Sequence, residues 1–194
     1  MKYVLIFLSL FISSFAWADQ KIVGHMDPFP YERLAAPIAL ADCPGYTIYE
    51  WRGTKPSQKY IDRLNGICNR AMREFWPFIA AKGLKPLNDE PFKYSMALLP
   101  DTKTYRGMND IKYRFAYRYI KDEVWAYTSR DMHWMWMVSS IDIKEIPQIF
   151  SHETFHAMSV HYGLFDAHAN TVAERVRIDE ELAQEFTEYL GLGR

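Results

Sequence analysis

The sequence predicts an α+β fold, and three observations support this class. After Ser57, apolar residues recur at three- and four-residue steps, which is the period of an amphipathic helix. From Pro91 to Ser139 the apolar period changes to two, which indicates a small sheet. Two further helical segments follow between Pro147 and Leu190. We therefore expect a small, mainly antiparallel sheet followed by two helices.

The N-terminus, Met1–Ala18, is typical of a secretory signal peptide. Lys2 supplies the positive start, Tyr3–Phe15 the apolar stretch, and Ala16–Ala18 a small-x-small cleavage site. The apolar stretch is short for a membrane span, and no later segment is apolar enough to cross a bilayer. A retained N-terminal anchor is the alternative. We expect a bacterial protein exported to the periplasm or secreted, with one domain over residues 19–194.

Charge and cysteine content narrow the function classes. The formal net charge is −1, so neither nucleic-acid binding nor attraction to an anionic membrane is indicated. Cys43 and Cys68 are the two cysteines, and in an exported chain we expect a disulfide between them. Their alternative role as zinc ligands is disfavoured because they lie far apart in sequence. Aromatic residues make up 16% of the chain, which favours an aromatic core over a sugar- or peptide-binding cleft.

The first half of the chain predicts an arm, a strand and a helix. Met26–Asp42 contains prolines and is expected to be an extended arm, and Tyr46–Trp51 alternates as a short strand. Ser57 is suited to cap the helix that follows. Pro77 should kink or break this helix near its end, and Gly83 should stop it. The apolar stripe of the helix indicates packing and no chemistry.

The middle of the chain has the pattern of a sheet. Four segments are predicted strands: Phe92–Leu99, residues 113–119, Glu123–Ser129 and Met132–Ser139. The last three follow one another through short links, which predicts an antiparallel meander.

The next helix carries an HExxH motif, His152-Glu153-Thr154-Phe155-His156. Pro147 suits its first turn and Gly163 its C-terminal cap, so a helix of about Pro147–Tyr162 is predicted, with the motif near its middle. Residues four apart lie on the same helix face, so both imidazoles can reach one metal ion. Glu153 can act on a water there without being a ligand itself. The motif is short, and two ordinary histidines are the alternative interpretation.

The last segment, residues 177–190, is predicted to be an amphipathic helix with an apolar stripe formed by Ile178, Leu182, Phe186, Tyr189 and Leu190. It contains Glu180-Glu181-Leu182-Ala183. Together with HExxH it resembles the gluzincins, zinc peptidases in which a downstream helix supplies a glutamate ligand. The resemblance covers about Pro147–Leu190. It implies a zincin-like fold with Zn²⁺ held by His152, His156 and Glu180.

The register of the glutamate stays open between two residues. The family pattern, with a small residue three positions after the ligand, favours Glu180, but Gln184 then replaces the usual acid that orients a ligating histidine. Starting from Glu181 would put Glu185 in that place and lose the small residue. Both glutamates flank the apolar stripe at similar angles, so helical periodicity does not choose between them.

The resemblance also implies an activity. We expect an exported zinc metallopeptidase in which Glu153 is the general base, with a peptide or protein as substrate. A side-chain donor should stabilise the charge that develops on the carbonyl oxygen. His168, between the two ligand helices, is the first candidate. The further candidates are His161, Tyr162, Arg175, Arg177 and Tyr189.

Two alternatives accompany this expectation. Met132–Ser139 precedes the HExxH helix, where zincins commonly bind a peptide by strand addition, although a strand buried on both faces is favoured. The chain could also be a non-catalytic exported binding protein that keeps a zincin fold, with structural zinc or none. Glu153 argues against this, because a structural site has no need of a base.

Overall fold

The computed structural model describes residues 34–43, 45–51, 55–99, 126–129, 134–164 and 171–193. It confirms the predicted α+β class. The elements, in chain order, are β1 (Leu34–Ala39), β2 (Tyr46–Trp51), α1 (Gln58–Ala81), β3 (Tyr94–Leu99), β4 (Ala126–Ser129), β5 (Trp134–Val138), α2 (Ile146–His161) and α3 (Val172–Tyr189). The predicted signal peptide and the predicted strand over residues 113–119 lie outside the described residues.

The described strands form one mixed sheet in the order β1-β2-β3-β5-β4. The outer pairs, β1–β2 and β4–β5, are antiparallel, whereas β2–β3 and β3–β5 are parallel. The prediction of a mainly antiparallel sheet is therefore wrong, although the antiparallel pairing of β4 with β5 is confirmed. The reason is the connection between β2 and β3, because a helix as long as α1 can return the chain to start a parallel strand.

Strand β1 lies inside the segment predicted as an extended arm. Pro37 within it argues against a central strand, because proline cannot donate to a ladder. In the described sheet β1 is an edge strand, and its register with β2 shifts between Leu34 and Pro37. An edge position tolerates proline, which explains why the local signal was misleading.

Helix α1 begins and ends where the sequence predicts. The Ser57 hydroxyl accepts a hydrogen bond from the Tyr60 backbone N–H at 3.2 Å, and Gly83 follows the helix with φ of 68°. Pro77 does not break the helix, which continues to Ala81. Because Pro77 is exposed and close to the C-terminal end, its ring interrupts little besides one backbone hydrogen bond.

Helix α1 packs on one face of the sheet, and α2 lies at the centre of the described part. Ile48, Met96 and Met135 are in register across β2, β3 and β5, and all three belong to the buried core that includes the helices. Trp136 projects to the opposite face and is also buried, so the interpretation of β5 as a strand buried on both faces is confirmed. Helix α2 contacts α1, α3, β4 and β5.

Aromatic side chains join the three helices. Phe155 of α2 lies 5.3 Å from Phe186 of α3 and 5.8 Å from both Phe75 and Phe78 of α1, measured between ring centroids. The predicted aromatic core is confirmed. The packing fixes the relative positions of α2 and α3, the two helices that carry the candidate ligands.

The predicted disulfide is present. Cys43, in the turn after β1, is bonded to Cys68 of α1, and both are buried with a Cα–Cα distance of 5.9 Å. Beside it, Asn65 donates to the Asp42 carboxylate at 2.7 Å, which ties the same turn to α1. A disulfide fits the expectation of export, because such bonds persist in oxidising compartments. Among the described helices, none is long and apolar enough to span a membrane.

Candidate metal centre

Helix α2 presents His152 and His156 on one face. It runs from Ile146 to His161 with Pro147 in its first turn, and Gly163, with φ of 63°, follows its end. The predicted helix is thus confirmed to within one residue at each end. The Nε2 atoms of His152 and His156 lie 3.1 Å apart, so both could bind the same metal ion.

Helix α3 is longer than predicted and rotated relative to the predicted stripe. It begins after Thr171, whose hydroxyl accepts from the Glu174 backbone N–H at 3.1 Å. Tyr189, which the stripe included, is 51% exposed. Among the described side chains of α3, those of Asp179, Ala183, Phe186 and Thr187 are buried, and so is Leu190 at its C-terminal cap.

The orientation of α3 gives Glu180 and Glu181 different surroundings. Glu180 follows the buried Asp179, and its carboxylate reaches both histidines of α2: Oε2 lies 3.3 Å from His152 Nε2, and Oε1 lies 3.5 Å from His156 Nε2. Glu181 points elsewhere and binds Arg177 through both carboxylate oxygens, at 2.7 and 2.8 Å. The group of residues that could hold a metal ion therefore contains Glu180 and does not contain Glu181.

The three donor groups fit a metal ion. Zinc binds imidazole nitrogen and carboxylate oxygen at about 2.0–2.1 Å, so two ligand atoms of a tetrahedral site lie about 3.3 Å apart. The Nε2 atoms of His152 and His156 lie 3.1 Å apart, and Glu180 approaches them through different oxygens, with Oε2 3.3 Å from His152 and Oε1 3.5 Å from His156. With one ligand atom taken from each residue, the three atoms lie within 4.8 Å of one another. Within the described part of the chain this trio is the one group of three candidate ligands that could hold a metal ion.

The family pattern would place the acid that orients a ligating histidine at residue 184 or 185, and in the structure these two residues make other contacts. Gln184 donates to Glu188 at 2.7 Å, and Glu185 forms an ion pair with Lys82 on the surface. Instead, Asp179 Oδ2 lies 3.0 Å from His156 Nδ1. A carboxylate at this distance favours a proton on Nδ1 by charge, which leaves Nε2 as the ligand atom.

Asp179 is itself anchored. It is 1% exposed, and its Oδ1 accepts a hydrogen bond from the Ser159 hydroxyl at 2.8 Å. Ser159 is one turn after His156 on α2, so the three residues form a chain from helix to helix. Sequence reasoning missed Asp179, although its spacing of four and seven residues from Ala183 and Phe186 places it on the buried face.

The protonation of the cluster follows from these contacts. Burial lowers the pKa of His156, but hydrogen bonds to Asp179 and Glu180 and the charges of Asp179 and Glu153 outweigh it, so the pKa rises to about 10. Hydrogen bonds with His152 and His156 lower the pKa of the Glu180 carboxyl well below its ordinary value. A metal ion binds imidazole only in its neutral form, so metal binding competes with protonation of His156.

Glu153 lies beside the ligands and is held by the sheet. Its Oε2 accepts a hydrogen bond of 2.7 Å from the hydroxyl of Thr128, a buried residue of β4. Glu153 directly follows the candidate ligand His152 along α2. Glu153 is not among the three candidate ligands, so the predicted separation between ligands and base is consistent with the geometry.

No family model, curated protein or solved structure matches this chain. The likeness to gluzincins therefore stays a resemblance at two motifs, and the geometry of the centre carries the functional argument.

The structure shows the surroundings of three of the six candidate donors to the carbonyl oxygen. His168, the first choice as a donor to the carbonyl oxygen, lies outside the described residues and stays a prediction. His161 Nε2 is 3.3 Å from the Glu90 carbonyl oxygen, Tyr162 is buried at the end of α2, and Arg177 binds Glu181. None of these three contributes to the ligand cluster.

The strand expected to receive a peptide is also placed differently. β5 is paired with β3 on one side and β4 on the other, so neither edge of it is available for strand addition. Among the described strands, β4 is the edge strand on the side of Glu153.

Asp179→Asn should weaken metal binding while the fold is retained. Asparagine keeps the shape and can still accept from Ser159, but it removes the charge that holds His156. We expect zinc affinity to fall by about 10- to 100-fold, as measured by competition with a chromogenic chelator. An unchanged affinity would show that Asp179 does not support the ligand.

The same variant should change the pH dependence of the metal-free protein. A histidine whose pKa is raised by folding stabilises the fold fully below its unfolded value of 6.5, and this contribution is lost as pH rises through about 10. Without the Asp179 charge, the pKa of His156 should be lower and the fall in stability across this range smaller. Thermal unfolding in the presence of chelator at several pH values measures it.

Proposed function

We propose that this chain is an exported zinc metallopeptidase that hydrolyses peptide bonds. The observation that carries the proposal is the convergence of His152, His156 and Glu180, with the carboxylate of Glu153, the residue after His152, held by Thr128. Two histidines and one glutamate are one of the ligand sets that catalytic zinc sites use, and a separate carboxylate can act as the base.

The number and exposure of the ligands favour a catalytic over a structural site. Structural zinc sites are closed by four protein ligands, whereas catalytic sites keep one position open. In the described residues three ligands converge. The Glu180 side chain is 56% exposed and that of His152 is 25% exposed, so water and a substrate can approach from this side.

The chemistry divides between the metal and Glu153. Zinc, when bound, lowers the pKa of a coordinated water to about 7 and polarises the carbonyl of the substrate. Glu153 is placed to remove the proton from the attacking water and to return it to the leaving amine. Asp179 keeps His156 in the tautomer that binds through Nε2.

A peptide is the substrate class that suits the surroundings of the centre. β4 is the edge strand next to Glu153 in the described sheet, and an extended peptide can add to such an edge through backbone hydrogen bonds. This would bring the scissile bond of the peptide to the side of the sheet where the base is held. The gluzincin resemblance points to the same class.

Metal content and hydrolysis together test the proposal. The mature protein should bind one zinc per chain, as measured by elemental analysis, and cleave fluorescein-labelled casein. His152→Ala should lose both properties, because it removes a ligand that is only half-buried and so disturbs the fold little. His161→Ala is the matched control, a histidine on the same helix outside the cluster, and should retain zinc.

Two results would contradict the proposal in different ways. If wild-type protein supplied with zinc does not bind it, or if His152→Ala binds it equally well, the metal centre is wrong. If zinc binds at the site but no hydrolysis occurs, the chain is better described as a zinc-holding binding protein.

A further inference from the structure

Thr128 connects the edge of the sheet to the proposed base. Its single hydroxyl lies 2.7 Å from Glu153 Oε2 and 3.1 Å from the backbone carbonyl oxygen of the same residue. The side chain is 7% exposed, so few waters can compete for these contacts. The carboxylate and the backbone carbonyl of Glu153 on α2 are thus both within hydrogen-bonding distance of the one hydroxyl of Thr128 on β4.

The sheet register explains why this residue faces the helix. Thr128 pairs with Met135 of β5, which is in register with Met96 of β3, and both methionines lie in the core below the helices. Side chains alternate between faces along a strand, so Thr128 shares the face on which α2 packs. A β-branched residue also suits a strand, and its hydroxyl is held in a narrow range of orientations.

The contact restricts a side chain that would otherwise have several rotamers. Glutamate has three rotatable bonds, and Glu153 is only half-buried, so packing alone does not fix its carboxylate. The hydroxyl has one hydrogen, and the shorter contact is with the carboxylate, which is the stronger acceptor when ionised. Thr128 therefore orients the carboxylate and occupies Oε2.

We propose that Thr128 is the positioning residue for Glu153, and that it leaves Oε1 as the oxygen that exchanges protons with the attacking water. This inference rests on the proposed peptidase function. It adds a residue from the sheet to a site whose other groups all come from α2 and α3. Because proton transfer requires close alignment of the base with the water, loss of this contact should reduce the rate of the chemical step more than substrate binding.

Substitution of the hydroxyl tests this role. Thr128→Val keeps the shape and strand preference but removes the donor. With fluorescein-labelled casein as the probe and zinc-loaded full-length protein, we expect kcat to fall about 10- to 100-fold while KM changes less than about 2-fold. Zinc content should stay at the wild-type value. Thr128→Ser keeps the hydroxyl and should restore most of kcat.

Thr187→Val is the control for loss of a buried hydroxyl. Thr187 of α3 accepts from Ser151 at 3.2 Å and donates to the Ala183 carbonyl at 2.9 Å, without contacting Glu153. It should lower thermal stability and leave kcat near wild type. If Thr128→Val does not fold, Thr128→Ala lacks the hydroxyl without added bulk and provides the same comparison.

Each outcome supports or overturns the inference. A kcat of Thr128→Val equal to that of the Thr187→Val control, in a protein that Glu153→Gln inactivates, overturns the positioning role and leaves the peptidase function standing. A Thr128→Ser variant as slow as Thr128→Val does the same, because the hydroxyl is then not the cause. A zinc-loaded wild type without hydrolysis overturns the proposed function and the positioning role together.

Discussion

In the Glu153→Gln variant we expect zinc content and thermal stability to stay near wild type while hydrolysis of casein falls by at least about 10²-fold. Glutamine matches glutamate in size and helix propensity, and its carbonyl oxygen can still accept from Thr128. The substitution therefore preserves the packing of α2 and removes the basicity of the side chain alone. Elemental analysis, thermal unfolding and kcat, measured on the same preparation, separate these effects.

The matched control is Glu145→Gln. Glu145 is an exposed residue at the N-terminus of α2, so this variant removes the same charge from the same helix without touching the centre. It should keep both zinc and activity. Loss of zinc in Glu153→Gln would instead identify Glu153 as a ligand, and retained activity would mean that another group accepts the proton.

The HExxH helix was predictable because its signals are local. Pro147 at its start, Gly163 after its end and two histidines four residues apart are all read within one short segment. Such signals depend on backbone conformation and side-chain spacing, which the chain determines without reference to distant residues. The helix and the pairing of its histidines were therefore predicted nearly to the residue.

The residues that support the histidines and the base were not predictable in the same way. Asp179 and Thr128 contact His156 and Glu153 from other elements, and neither contact leaves a pattern in the sequence near the motif. Helical periodicity placed the apolar stripe of α3 through Tyr189, which is half-exposed, because aromatic residues were counted as buried. The buried face of α3 contains an acidic residue, Asp179, which a search for apolar residues does not count. The face predicted from apolar residues alone is therefore displaced, and it did not separate Glu180 from Glu181.

The sheet was mispredicted for a related reason. Strand periodicity indicates which residues alternate, but it does not say which strands become neighbours. The parallel pairing of β2 with β3 could have been predicted from the chain order β2, α1, β3, because parallel strands are usually connected by a helix. Pro37 led to the prediction of an extended arm over the segment that contains β1, although an edge strand also tolerates proline.

Glu180→Gln should remove most of the zinc affinity of the protein. The carboxylate of Glu180 lies within 3.5 Å of Nε2 of both His152 and His156, and a neutral amide cannot replace its charge as a ligand. Loss of a residue that merely supports a ligand costs about 10- to 100-fold in affinity, so loss of the ligand itself should cost at least about 10²-fold. With zinc in excess, a 100-fold weaker site gives up about 2.7 kcal/mol of the stabilisation that the metal confers.

The increase in thermal stability on adding zinc is the quantity to compare, because Glu180 also stabilises the metal-free protein. Its pKa is lowered by the two histidines, so that contribution is present above the unfolded value of 4.5 and lost as pH falls below it. Glu181→Gln is the control, since Glu181 binds Arg177 on the surface and should leave the zinc-induced increase unchanged. If Glu181→Gln abolishes the increase and Glu180→Gln does not, the third ligand is one residue further along α3. If neither variant alters it, the ligand lies outside this helix, with His168 the first residue to test, and the gluzincin resemblance no longer describes the site.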